Sequence, residues 1–152
     1  MKAIDVRTPM ELLLVEDDPG DVVMTREALE DSKLLIELHV VSNGEEAVAY
    51  LRNEAPFGDA ARPDLVLLDL NLPRLSGREV LEIVKADPGL LRIPIVILTT
   101  SESEEDVLRS YELHANAYVT KPVGFESFVS VVKQIDDFFL SIVRLPGRQR
   151  AG

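Results

Sequence analysis

Two apolar runs in this chain end in acid. Leu65-Val66-Leu67-Leu68 leads into Asp69, and Leu12-Leu13-Leu14-Val15 leads into Glu16-Asp17-Asp18. If both runs are buried strands of one sheet, their carboxylates gather at one edge. In open α/β sheets that edge, at the carboxyl ends of the strands, is where ligands bind. Like charges brought together there are costly unless a cation compensates. Two further apolar runs end in other polar groups. Ile95-Val96-Ile97-Leu98 is followed by Thr99-Thr100-Ser101, and Ala117-Tyr118-Val119 by Thr120-Lys121-Pro122. A single acid in a loop is as readily a solvated residue as a functional one. Acid, acid, hydroxyl and ammonium groups on one rim are a combination that random loop polarity rarely produces.

The combination suits phosphoryl chemistry. Glu16 and Asp17 can hold Mg²⁺, which takes oxygen ligands in octahedral geometry. Asp69 can accept a phosphoryl group as a carboxylate nucleophile. Mg²⁺ and Lys121 would neutralise the transferring oxygens, and the hydroxyl of Thr99 could bond one of them. Asp18 is either a further acid of this group or the cap of a helix that starts at Pro19.

The elements that must position these groups alternate along the chain. Strands are expected from Leu12 to Val15, Ile36 to Val41, Leu65 to Leu68, Ile95 to Leu98 and Ala117 to Val119. Helices are expected between them. The first runs from Asp21 to Glu30, with Val22, Val23, Thr25, Ala28 and Leu29 at roughly helical spacing; Asp18-Pro19 is a good start for it. Asn43 or Ser42 could cap a second helix through about Asn53, with Ala47, Val48 and Leu51 as its apolar face. After a long loop from Glu54 to Pro63, a third helix runs from Arg78 to Ala86 with Val80, Leu81 and Val84 inward. A fourth spans Glu104 to Leu113, and a last one runs from about Phe125 to Ile142. Helices between short apolar strands imply βαβ units and a parallel sheet.

Composition narrows the class. The chain has 152 residues, 46% hydrophobic and 28% charged, enough for one domain with a sizeable core. A net charge of −11 argues against nucleic-acid backbone and anionic membrane partners. With no cysteine there is no thiolate metal site or cysteine nucleophile. No apolar run approaches the ~20 residues that cross a bilayer, and residues 1–11 lack a signal-peptide core. A cytoplasmic protein is expected. Residues 1–10 and 144–152 are read as flexible ends around a domain at 11–143, with no output domain after it.

Taken in order, Val15-Glu16-Asp17, then Leu68-Asp69-Leu70-Asn71-Leu72-Pro73 with Gly77, then Leu98-Thr99, then Tyr118-Val119-Thr120-Lys121-Pro122 resemble bacterial response-regulator receiver domains, the CheY-like family. Asp69 to Thr99 is 30 positions and Thr99 to Lys121 is 22. Each motif alone is weak, but the ordered set at these spacings is specific, and it covers about residues 11–139. The resemblance implies a flavodoxin-like fold: a doubly wound, five-stranded parallel sheet of order 2-1-3-4-5 with helices on both faces. It makes Asp69 the phosphoacceptor for a sensor histidine kinase. Mg²⁺ (or Mn²⁺) would be bound by Glu16, Asp17, Asp69 and the backbone carbonyl of Asn71. Thr99 and Tyr118 would be the switch pair, and Lys121 would contact the phosphoryl group before a cis bond to Pro122. Asn71 and Ser101 sit where the family tunes phosphoryl loss. His114 replaces a usual Gly and is read as a helix-end residue, and His39 as a strand-face residue. The longer Glu54-to-Pro63 loop and the long last helix resemble small stand-alone regulators that partner bacterial phytochromes. The helix from Glu104 to Leu113, the strand from Ala117 to Val119 and the final helix, with Phe125, Phe128, Phe138 and Phe139, would form the signalling surface and a homodimer interface.

Two other classes compete. A haloacid-dehalogenase-type phosphatase also uses an aspartyl phosphate, but needs a second acid two residues on, where this chain has Asn71. A non-phosphorylated binding module would leave the pocket idle, against which Asp69, Thr99 and Lys121 all stand intact. A nucleotide-binding phosphate loop is absent.

Overall fold

The computed structural model describes residues 9–30, 35–70, 72–99 and 117–120. The elements are β1 (Met10–Val15), α1 (Pro19–Glu30), β2 (Ile36–Val41), α2 (Gly44–Leu51), β3 (Leu65–Asp69), α3 (Gly77–Ala86), β4 (Ile95–Thr99) and β5 (Ala117–Thr120). The sheet is parallel, in the order β2-β1-β3-β4-β5. The expected helices after Thr100, the expected Lys121–Pro122 cis bond, and His114 lie outside the described residues.

β3 and β4 are continuously apolar up to their last residue because both faces of the sheet are covered there, while the edge strand β2 carries Glu37 and His39. Leu13, Val15, Val66, Leu68, Ile95 and Ile97 pack with α2 and α3. Leu12, Leu14, Leu65, Leu67, Val96 and Leu98 pack with Leu29 and Val22 of α1. Leu12, Leu13, Leu14, Leu67 and Leu68 are fully buried. Each such side chain contributes about 1.5–3 kcal/mol relative to exposure.

Local signals set the helix ends. Asp18 caps α1: its Oδ1 accepts the Gly20 N–H at 2.8 Å and its carbonyl accepts the Val22 N–H at 3.0 Å. Asn43, not Ser42, caps α2, accepting the Glu46 N–H at 2.8 Å. Ser42 instead donates its N–H and hydroxyl to Glu46 Oε1, at 2.9 and 3.1 Å. α2 ends two residues before the expected Asn53, which turns left-handed at φ 55°. The Glu54 N–H then reaches Ala49 O at 2.8 Å and the Asn53 N–H reaches Tyr50 O at 3.2 Å, a Schellman closure. α3 opens on a capping box between Ser76 and Glu79 and buries Val80, Leu81 and Val84 completely.

Two expectations are corrected. Val23 is not part of the buried face of α1; it is 55% exposed. The stripe that faces the sheet is Val22, Thr25 and Leu29, and at 100° per residue Val23 swings off it. Met10 belongs to the sheet and not to a flexible end. It pairs with Ile36, donates its N–H to Leu35 O at 2.8 Å and is buried.

His39 lies on β2 as expected and meets Glu11 of β1 across the strands, Nε2 to Oε1 at 2.7 Å. Its ring stands 6.0 Å from that of Tyr50, which stands 5.3 Å from Phe57 of the long loop. Ala55–Pro56 in that loop is cis. The loop returns to the sheet at Asp64, which exchanges two hydrogen bonds with the Glu11 backbone, at 2.7 and 2.8 Å. No helix among the described residues is long and apolar enough to cross a membrane.

Candidate functional site

β1 and β3 are neighbours, and their register pairs Val15 with Leu68. The next residues along, Glu16 and Asp69, therefore leave the same edge of the sheet side by side. The Glu16 N–H extends the ladder to Val41 O at 3.0 Å, and the Leu70 N–H extends it on the other side to Leu98 O at 2.9 Å. These bonds fix both acids to the rigid part of the molecule. Each is only 2% exposed.

Asp17 completes the cluster from the solvent side. One carboxylate oxygen from each of Glu16, Asp17 and Asp69 lies within 4.8 Å of the others. Carboxylates gathered in this way are costly to keep charged unless a cation compensates. The donors are all hard oxygens, with no imidazole or sulfur among them. That set fits Mg²⁺ or Mn²⁺, and the open side toward Asp17 leaves room for the waters that Mg²⁺ retains.

The ambiguity over Asp18 is resolved by its hydrogen bonds. Its carboxylate is taken up by capping α1, and its own N–H donates to Glu16 Oε2 at 3.2 Å. Asp18 thus orients a member of the cluster without joining it.

The loop after Asp69 closes tightly on the strand. The Gly77 N–H donates to Leu70 O at 3.0 Å. A Cβ at Gly77 would stand 2.3 Å from Asp69 O and 2.8 Å from Leu70 Cα. Glycine at this position lets the first turn of α3 lie directly against the backbone of Asp69. The sequence reading includes Gly77 only as part of a motif; the reason for it is this contact, made between residues far apart in local structure.

The remaining site residues are placed by backbone alone or lie outside the described residues. Thr99 ends β4, one residue past the partner of Asp69, and pairs with Thr120 of β5. Tyr118 pairs with Ile97. Asn71, Ser101, Lys121 and Pro122 fall outside. The contact of the loop with α2 is not foreshadowed in the sequence. Gly44 meets Leu75, and Arg74 Nε donates to Glu45 Oε1 at 2.6 Å. No local pattern announces either, because the partners stand about thirty residues apart in the chain.

A parallel α/β sheet of this order, with a carboxylate cluster at the ends of β1 and β3, defines a class. The chain belongs to the response regulator receiver domain family, whose model matches residues 12–133. It is a signalling protein of the two-component kind. The response regulator Rcp1 of Synechocystis sp. is 44% identical over 138 residues, 91% of this chain and 94% of that protein. The structure of the Mn²⁺-bound form of Rcp1 matches with a TM-score of 0.76, covering 91% of this chain and 99% of that one at 44% identity. The structure of the phosphorylated cyanobacterial phytochrome response regulator RcpA matches at 47% identity with a TM-score of 0.78, covering 91% and 99%. The bacteriophytochrome response regulator RtBRR matches at 45% identity and a TM-score of 0.78, covering 84% and 78%. The family match does not favour the haloacid-dehalogenase alternative.

Proposed function

We propose that Asp69 accepts a phosphoryl group from the phosphohistidine of a sensor kinase in a Mg²⁺-dependent reaction. The observation that carries this is the cluster of Glu16, Asp17 and Asp69 carboxylates within 4.8 Å at the rim of the sheet. A carboxylate oxygen of Asp69 attacks phosphorus, the bond from phosphorus to the histidine nitrogen breaks, and the nitrogen keeps the electron pair. Glu16 and Asp17 hold the cation, with the Asn71 carbonyl as a further ligand. Mg²⁺ held there would neutralise charge on the transferring oxygens. Lys121 and Thr99 take the remaining phosphoryl oxygens, and Thr99 with Tyr118 transmits the change to the surface of β5 and the elements around it. The only chemistry the chain catalyses is then its own phosphorylation and dephosphorylation.

The receiver unit extends to about residue 143 and works in the cytoplasm, beside its kinase. The similarity to a phytochrome response regulator and a bacteriophytochrome response regulator supports a photoreceptor kinase as the phosphoryl source. A homodimer forms through the region from Glu104 to Leu113, Ala117 to Val119 and the last helix, and nucleic acid and membrane are not partners.

Intact mass after incubation with acetyl phosphate tests the central claim. One phosphoryl group is expected on the native chain with Mg²⁺, and none without Mg²⁺ or in Asp69→Ala. A native chain that binds Mg²⁺ yet takes up neither phosphoryl nor beryllofluoride would overturn it.

A further inference from the structure

The loop that follows Asp69 is held at two places. Its far end is held by Gly77 against the Asp69 backbone. Its tip rests on the first turn of α2, an element that contributes no group to the carboxylate cluster. A Cβ at Gly44 would stand 1.9 Å from the carbonyl oxygen of Leu75, 2.6 Å from its carbonyl carbon and 2.7 Å from its Cβ. The atoms in the way are mostly backbone and cannot swing aside as a long side chain would.

Next to this contact, Arg74 has φ 71°, in the left-handed region that a bulky residue seldom enters. In that conformation its Nε reaches Glu45 Oε1 at 2.6 Å. Glu45 is anchored in turn in the first turn of α2, behind the Asn43 cap. The hydrogen bond to Glu45, and then its charge, holds the proton on Arg74 more firmly than usual.

We propose that the first turn of α2 is a positioning device for the phosphorylation loop: Gly44 seats Leu75 and Glu45 pins Arg74, so that the residues following Asp69 keep the place a bound cation requires. The inference rests on reading Asp69 as the phosphoacceptor and adds support residues to that site. Neither Gly44 nor Arg74 touches a reacting atom; both are positioning residues. The physical reason is the demand of Mg²⁺ for near-ideal octahedral geometry, which a small displacement of one ligand defeats. Sites built on loops need such outside support to hold their geometry.

The test uses the full chain with Gly44→Ala, Arg74→Gly, Glu45→Arg, Arg74→Glu and the charge-swapped Glu45→Arg/Arg74→Glu double variant. Calorimetry reads the Mg²⁺ dissociation constant, acetyl phosphate labelling is followed across Mg²⁺ concentrations, and urea midpoints check folding. Gly44→Ala is expected to weaken Mg²⁺ binding about tenfold or more, with labelling restored toward native at saturating Mg²⁺. Arg74→Gly accepts the left-handed backbone while losing the pin and freeing the loop, so about a two- to fivefold weakening is expected. The double variant should bind Mg²⁺ more tightly than either charge reversal alone. Folded Gly44→Ala and Arg74→Gly proteins that both bind Mg²⁺ within about twofold of native would overturn the proposal. If Gly44→Ala does not fold, Arg74→Gly and the charge swap decide it. A native chain that binds Mg²⁺ but is never labelled would refute the phosphoacceptor reading instead, and the Mg²⁺ constants would still judge the support role.

Discussion

Gly77→Ala sets a helix gain against a backbone clash. In an ordinary helix the change is stabilising by about 0.5–1 kcal/mol, because alanine loses less conformational freedom on folding. Here the added methyl would stand 2.3 Å from Asp69 O, 2.8 Å from Leu70 Cα and 3.1 Å from the Asp69 carbonyl carbon. Ordinary contact begins at about 3.4 Å, so α3 and the end of β3 must separate by roughly 1 Å. Neither can do so cheaply. Leu70 is bonded to both Leu98 and Gly77, while Val80, Leu81 and Val84 anchor α3 in the core. Overpacking of this kind costs about 1–3 kcal/mol, which offsets the helix gain and leaves a net loss of roughly 0–2.5 kcal/mol. The larger effect falls on chemistry, because the displaced atoms belong to the nucleophile's own residue. A 1 Å error in placement can cost about 10²-fold in rate. Urea denaturation measures the first quantity and the rate of acetyl phosphate labelling the second. Gly58→Ala is the control, since nothing lies within 4 Å of a Cβ there, and it should leave both within experimental scatter. A Gly77→Ala protein with native stability and native labelling rate would show that α3 is free to slide and that its close approach to Asp69 does not hold the site.

Asp18→Ala should lower stability by about 1 kcal/mol through loss of the α1 cap, while Mg²⁺ affinity measured by calorimetry changes far less than in Glu16→Gln. Equal losses of Mg²⁺ affinity in the two variants would return Asp18 to the cluster. Burial first, and the charge of Glu11 second, raise the Tyr50 phenol above its ordinary pKa of 10.0. As pH climbs past that value the unfolded chain releases this proton before the folded one does, so the contribution is intact below about pH 10 and lost above it. The urea midpoint should therefore fall less between about pH 9 and pH 11 in Tyr50→Phe than in the native chain; identical falls would contradict the assignment. Sedimentation at high micromolar concentration should find a dimer, and a monomer both with and without phosphorylation would rule out the proposed self-association.

Much of the fold could be read from local order. The runs at residues 12–15, 36–41, 65–68 and 95–98 became strands of the expected kind, because an apolar run too short for a buried helix and flanked by turn residues has few other ways to lose its contact with water. Caps follow the same local logic: the sequence narrows the α2 cap to Ser42 or Asn43, and the Ser76–Glu79 box, not singled out from the sequence, also acts within one turn of its own helix. Val23 was misplaced because a run of apolar residues in a helix does not by itself say which of them face the sheet; that depends on how the helix is rotated against its neighbour.

The sequence by itself determined the chemical inventory of the rim. Acids had to follow the runs that end in Val15 and Leu68, and a parallel sheet brings such ends to one edge. Tertiary structure brought acids of the two strand ends together, and a local cap removed Asp18 from them. Glu16, Asp17 and Asp69 converge while Asp18 turns away, because the start of α1 claims its carboxylate first. Tertiary structure also decided why Gly44 and Gly77 are glycines, and that Arg74 belongs with Glu45. Gly44–Leu75 and Arg74–Glu45 join segments about thirty residues apart, Gly77 closes on Asp69 across a single loop, and no local rule of propensity or spacing encodes the distance between two backbones.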